Sequence, residues 1–166
     1  MSEPEPLTVH VGFAPPAPRY SLRTGAREAA GDALGLPLPG KVGEGSTAGD
    51  RFALCLGPDE WMVCTADNPV TDALDLDEPY SLVDVSDREV AISVSGPGAL
   101  EALTAVCPRD LSRLSVGNGT RTVMEHVSVV VVRRTKDAFE VHVWRSYAPH
   151  LMHLFRTVQA ELAVGL

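Results

Sequence analysis

Aromatic side chains are scarce in this chain, making up 5% of its 166 residues, so any core has to be assembled from the valine, leucine and alanine within its 45% hydrophobic content. Basic charge is also short. Fourteen Lys and Arg face 22 Asp and Glu, leaving a net charge of −8 that repels phosphate backbones and anionic lipid headgroups. Nucleic acid and membrane surfaces are therefore excluded as partners. No hydrophobic run approaches the roughly 18 apolar residues of a membrane helix. The acidic, proline-bearing start, Glu3-Pro4-Glu5-Pro6, is unlike a signal peptide, so a cytoplasmic protein is expected. There are three cysteines and no CxxC pair, which fits a reducing compartment and reads as core thiols. With Gly57–Glu60 as a hairpin loop, Cys55 and Cys64 fall diagonally on one sheet face, about 7–8 Å apart and too far to bridge easily. GxGxxG, a P-loop, HExxH and GxSxG are all missing, and with them the spacings that hold dinucleotides, nucleotides, zinc or an activated serine.

What the chain does contain is clearest between Ser81 and Ser112. Val90, Ile92 and Val94 alternate with Ala91, Ser93 and Ser95, the period of a half-buried strand. Gly96-Pro97 then breaks the run. Proline suits the first turn of a helix, with Ser95 or Gly96 as its cap. Ala99, Leu103 and Val106, beside Leu100 and Cys107, set one apolar stripe on a short helix that Pro108 ends.

Around this unit, Arg19 to Thr24 reads as a strand and Ala26 to Leu34 as a short helix weakened by Gly31. Leu36 to Asp50 is a loop by its glycine and proline content. Arg51 to Leu56 and Trp61 to Thr65 form a hairpin, followed by an acidic connection, Asp67 to Pro79, that includes Asp72. Thr120 to Met124, Val127 to Arg133 and Phe139 to Arg145 are three more strands, with a turn at Thr135-Lys136-Asp137. The continuous apolar run Val129 to Val132 marks a central strand covered on both faces. Leu151, Leu154, Phe155, Val158 and Leu162 define a closing helix from Pro149 to Leu162. The expected fold class is α+β, a mainly antiparallel sheet with helices on one face. Residues 1–18, rich in proline, are expected as an extended N-terminal arm and 19–166 as a single α+β domain.

Few residues advertise chemistry. Gly40 to Thr47 reads as a flexible connector rather than a phosphate cradle, because Lys41 precedes the glycines and Glu44 sits where phosphate would come. His150 and His153 lie off the apolar stripe of the last helix and face water, while His126 and His142 sit on strands; no metal site is expected of them. Asp84, Asp87 and Glu89 read as a solvated loop. Trp61 and the Trp144-Arg145-Ser146-Tyr147 cluster stand out in a chain poor in aromatics. Trp, Tyr and Arg anchor protein interfaces, so Trp61, Trp144, Arg145 and Tyr147 are interface candidates, with core packing the competing role for the tryptophans.

Asp84-Val85-Ser86, Ser95-Gly96-Pro97-Gly98-Ala99 and Cys107-Pro108-Arg109-Asp110-Leu111, preceded by Leu56 to Trp61 and followed by Phe139 to Pro149, resemble the gamma subunits of heterotetrameric sarcosine oxidases. More distantly the segment order is similar to the folate-binding domain of glycine-cleavage aminomethyltransferases, in which the Gly-Pro-Gly helix start lines a ligand crevice. The resemblance implies a non-catalytic gamma subunit, with alpha, beta and delta subunits as partners, in a complex that oxidatively demethylates sarcosine to glycine. The one-carbon unit would pass to tetrahydrofolate or leave as formaldehyde. It implies no catalytic residue, cofactor or metal on this chain, with FAD, FMN, NAD, zinc and tetrahydrofolate on the partner subunits. The alternative is a free-standing folate-binding one-carbon enzyme, whose further enclosing domains this chain has no residues left to build.

Overall fold

In the computed structural model, which describes residues 7–70 and 74–165, the chain forms two compact units. The first takes in residues up to Pro15, Val90–Val116 and Arg121–Leu166, and the second Pro16–Glu89 with Gly117–Thr120. Glu3, Pro4, Glu5, Pro6 and Asp72 lie outside the described residues.

The first unit is built on a five-stranded sheet in the order β1-β7-β10-β9-β8, from His10–Phe13 (β1), Glu89–Ser95 (β7), Gly119–Met124 (β8), Val127–Thr135 (β9) and Ala138–Trp144 (β10). β1 runs antiparallel to β7, and β9 to β10. Helices α2 (Ala99–Val106) and α3 (Ala148–Leu162) bring Leu103, Leu151 and Phe155 into one core with Ile92, Val94, Val131, Phe139 and Val141. In β9, Val129, Val131 and Val132 are buried and Val130 is half-buried, as expected of an interior strand.

The second unit has a sheet ordered β3-β4-β5-β2-β6, from Arg19–Thr24 (β2), Gly45–Ala48 (β3), Arg51–Gly57 (β4), Glu60–Thr65 (β5) and Tyr80–Asp84 (β6), with helix α1 (Arg27–Leu34). Its core joins Leu22, Leu34, Leu36, Trp61 and Val63. The architecture is α+β with two antiparallel five-stranded sheets and three helices.

Three strands escape the sequence pattern. β1 sits within the proline-rich start, β3 within the presumed loop and β6 at the end of the acidic connection. For β3 the cause is non-local. A Cβ on Gly45 would lie 2.0 Å from the Gly117 carbonyl oxygen and 2.9 Å from the Phe52 ring, so only glycine allows the 117–118 turn to approach; the Gly45 N–H donates to Asn118 Oδ1. The cysteines are placed differently too. A register shift between Cys55 and Gly57 pairs Cys55 with Trp61 and Phe52 with Cys64, which puts the two thiols on opposite faces, since a one-residue slip inverts every side chain. All three cysteines are free and buried.

The expected cap at Ser95 or Gly96 is displaced to Gly98, so the helix begins two residues beyond Pro97. Segment 7–9 explains why. Gly98 N–H donates to the Thr8 carbonyl, Leu7 N–H to that of Leu162, and Gln159 Nε2 to that of Val9, and the Val9 side chain is buried. Gly96 has φ +110°, and a Cβ there would lie 2.7 Å from Thr8 O. Residues 7–13 are thus bound within the first unit, tying β7, α2 and α3 together.

Gly96→Ala should therefore destabilise the chain by about 2 kcal/mol, from left-handed strain and a backbone clash. Gly12→Ala, where a Cβ meets nothing within 4 Å, should stay within about 0.5 kcal/mol. Urea midpoints compare the two, and equal effects would remove the special role given to segment 7–9.

Candidate interaction surface

Strand β10 sends Phe139, Val141 and Val143 into the core, so Glu140, His142 and Trp144 occupy its other face. At its end a tight turn passes to α3: Tyr147 N–H donates to Trp144 O at 2.9 Å and Ala148 N–H to Arg145 O at 3.3 Å. Pro149 sits in the first turn of the helix, where its missing N–H costs nothing. The turn brings the Trp144 and Tyr147 rings to a centroid separation of 6.4 Å, tilted by 31°. Trp144 is 51% and Tyr147 48% exposed, and Arg145 between them is exposed as well. One turn further, His150 Nε2 lies 3.1 Å from Glu125 Oε2 of the β8–β9 turn. The aromatic pair therefore stands on a frame fixed by the buried Val143, Ala148 and Leu151.

Trp61 does not share this surface. It is 1% exposed, paired with Cys55 across the β4–β5 hairpin, and its Nε1 donates to Pro39 O at 2.8 Å. As an interface candidate it is corrected to a core residue: its ring is sealed in and its one polar atom already satisfied.

Behind Trp144, Glu140 Oε2 receives Arg134 at 2.7 Å and lies 3.2 Å from His142 Nε2, with His142 buried. Burial alone would raise the Glu140 pKa, but the adjacent His142 and the hydrogen-bonded Arg134 outweigh it and hold the carboxyl at about 2. The group thus stays charged and braces β9 against β10.

The remaining motifs resolve into structure. Asp84 Oδ1 accepts from Ser86 N–H at 2.9 Å and Ser86 Oγ at 2.5 Å, and Asp110 Oδ1 accepts from Ser112 in the same manner, at 3.0 and 2.5 Å. These serine hydrogen bonds lower the pKa of both aspartates. Each Asp-x-Ser turn directs its middle residue, Val85 or Leu111, inward. At the Gly-Pro-Gly helix start, the N–H groups of Gly96, Gly98 and Ala99 donate to Asp137, Thr8 and Gly96 carbonyls. In the 40–47 segment, Gly43 donates to Cys55 O and Glu44 to Lys41 O. His150 and His153 are exposed, as is His126, which lies in the β8–β9 turn and not on a strand. Among the described residues no group of three His, Cys, Asp or Glu is placed to hold a metal ion, and no helix is long and apolar enough to cross a membrane.

No protein-family model matches the chain. The gamma subunit of sarcosine oxidase from Corynebacterium sp. (strain U-96) is 28% identical over 142 residues, covering 80% of this chain and 68% of the relative. That of Corynebacterium sp. (strain P-1) is 28% identical over 149 residues, covering 84% and 72%, and that of Arthrobacter sp. 29% over 139 residues, covering 79% and 68%. Among solved structures, a chain of the heterotetrameric sarcosine oxidase from Corynebacterium sp. U-96, in complex with pyrrole 2-carboxylate, superposes with TM-score 0.85 and 25% identity, covering 93% of this chain and 85% of that one. The glycine cleavage system aminomethyltransferase T from Bartonella henselae shares the fold, with TM-score 0.69 and 14% identity over 90% of this chain and 45% of that one.

Glu140 also makes a pH prediction. Its folded pKa of about 2 lies below the ordinary 4.5, so the stability it lends is complete above pH 4.5 and is lost as pH falls through about 2. Glu140→Gln should lower stability at pH 7 by on the order of 2 kcal/mol and flatten the acid dependence between pH 5 and 2. Denaturant midpoints across that window test it, and an unchanged acid slope would refute it.

Proposed function

We propose that this chain, homologous over about 80% of its length to the gamma subunits of sarcosine oxidase, serves as a non-catalytic subunit of a heterotetrameric oxidase of that kind. Its companions would be alpha-, beta- and delta-type subunits. In this reading the complex oxidises the N-methyl group of sarcosine, yielding glycine and a one-carbon unit passed to tetrahydrofolate or released as formaldehyde. FAD, FMN, NAD, zinc and tetrahydrofolate belong to the companions. The observation that carries the reading is the superposition with a chain of the Corynebacterium complex over 93% of this chain and 85% of that one.

A free-standing folate-binding enzyme is the competing reading, resting on the shared aminomethyltransferase fold. Against it stands the helix start at Gly96 to Ala99, whose backbone donors are engaged by the chain itself.

The subunit reading gives the exposed Trp144, Arg145 and Tyr147 a role as part of the assembly surface, a rigid aromatic-arginine anchor of the kind that dominates interface energetics. The strand end and helix start beneath them hold their geometry before any partner arrives, which lowers the entropic cost of docking.

Tagged protein purified from its native cells under mild salt should come out as a yellow, multi-subunit complex; recovery of colourless monomer alone would overturn the proposal. Calorimetry on the separate chain should detect no binding of flavin, NAD or zinc as tight as micromolar, about −8 kcal/mol. Replacing Arg145 and Tyr147 by alanine should weaken assembly at least tenfold, about 1.4 kcal/mol or more, while the melting temperature of the free chain holds. If the double variant assembles normally and its melting temperature falls sharply, these side chains are local structure and the interface lies elsewhere.

A further inference from the structure

Strand β6 closes one edge of its sheet and, among the described residues, pairs with β2 alone. Val85 N–H donates to Arg19 O at 2.8 Å, and the register matches Tyr20 with Asp84 and Ser21 with Val83. Antiparallel alternation therefore turns the peptide groups of Ser81 and Val83 toward β2 and those of Tyr80, Leu82 and Asp84 outward. Among the described residues, no backbone hydrogen bond reaches that outward side.

Natural sheets blunt such edges with lysine, proline, a bulge or a covering loop. The five residues Tyr80 to Asp84 contain neither lysine nor proline, their pairing with β2 shows no register shift, and Val83 is 50% exposed. The charge around this edge is predominantly negative. Asp75, Asp77, Glu78, Asp84 and Asp87 are all exposed, while Arg88 places Nη2 3.1 Å from Glu89 Oε1 and Arg23, opposite Ser81 on β2, places Nη2 3.2 Å from Glu60 Oε2. The same bias holds at larger scale: the second unit has 14 acidic and 6 basic side chains, so the whole net charge of −8 resides on it, and the first unit is balanced.

We propose that the outer edge of β6 is a strand-addition site for an extended, lysine- or arginine-bearing segment of another polypeptide. Backbone pairing with Tyr80, Leu82 and Asp84 would supply the register, and alternate cations of the incoming strand would meet the carboxylates that flank the edge. A second copy of this chain is the wrong occupant, because edge-to-edge pairing would set one acidic border against another. The proposal does not depend on which complex the chain enters.

The test uses the full chain, isotope-labelled, and the synthetic peptide acetyl-Lys-Val-Lys-Val-Lys-Val-Lys-amide. Saturating peptide should slow amide exchange at Leu82 and Asp84 at least tenfold. A peptide with glutamate in place of lysine, and a lysine peptide N-methylated on the pairing edge, should each bind at least tenfold more weakly. Equal binding of the N-methylated peptide would reduce the effect to charge attraction and overturn the proposal. So would protection confined to other strands, or no binding at all. A dimer of the chain alone with the same amides protected would reassign the edge to self-association.

Discussion

Two missing Cβ atoms govern the first unit. Without them Gly96 can hold φ +110° and accept the Thr8 carbonyl, and Gly98 can accept the Leu7 Cβ, at distances that any larger residue would forbid. The contact decides where α2 begins, because the Gly98 N–H is committed to Thr8 O. It also lets β1 lie antiparallel to β7 and gives Gln159 of α3 a carbonyl to hold, so one close approach positions elements far apart in sequence.

The helix α3 held in this way is the one that displays the aromatic pair. Its buried stripe, Leu151, Met152, Phe155 and Val158, faces the sheet, which leaves Tyr147 and His150 outward at its start. Beneath it the Glu140, Arg134 and His142 group joins β9 to β10 on the face away from that stripe. A protein with such a frame can present a recognition surface without carrying reaction chemistry, consistent with the role of a structural partner proposed for it.

Much of this was legible from periodicity. The strands around Val90–Ser95, Val127–Arg133 and Phe139–Trp144, the closing helix and the outward His150 and His153 follow from alternation and helical spacing. What was hidden depended on partners distant in sequence. Val9, Val11 and Phe13 alternate correctly, yet the neighbouring prolines outweighed them, and nothing local shows that Gly96 and Gly98 await this segment. β3 carries a glycine required by residues 117–118, and β6 is half-covered and short. Trp61 and Trp144 are the same residue type in strands of similar composition; only the register, shifted at Cys55, and the end of β10 separate the core tryptophan from the exposed one.

The pairing of His10 with Ser95 and of Leu7 with Leu162 also sets an order of events during synthesis. At about 10 residues per second, β1 leaves the ribosome roughly 8 seconds before β7 exists and about 15 seconds before the end of α3. Most of the second unit, Pro16–Glu89, is translated in that interval. Segment 7–13 is thus made well before the strand and helices it docks on, and it finds its place only once α3 has been translated.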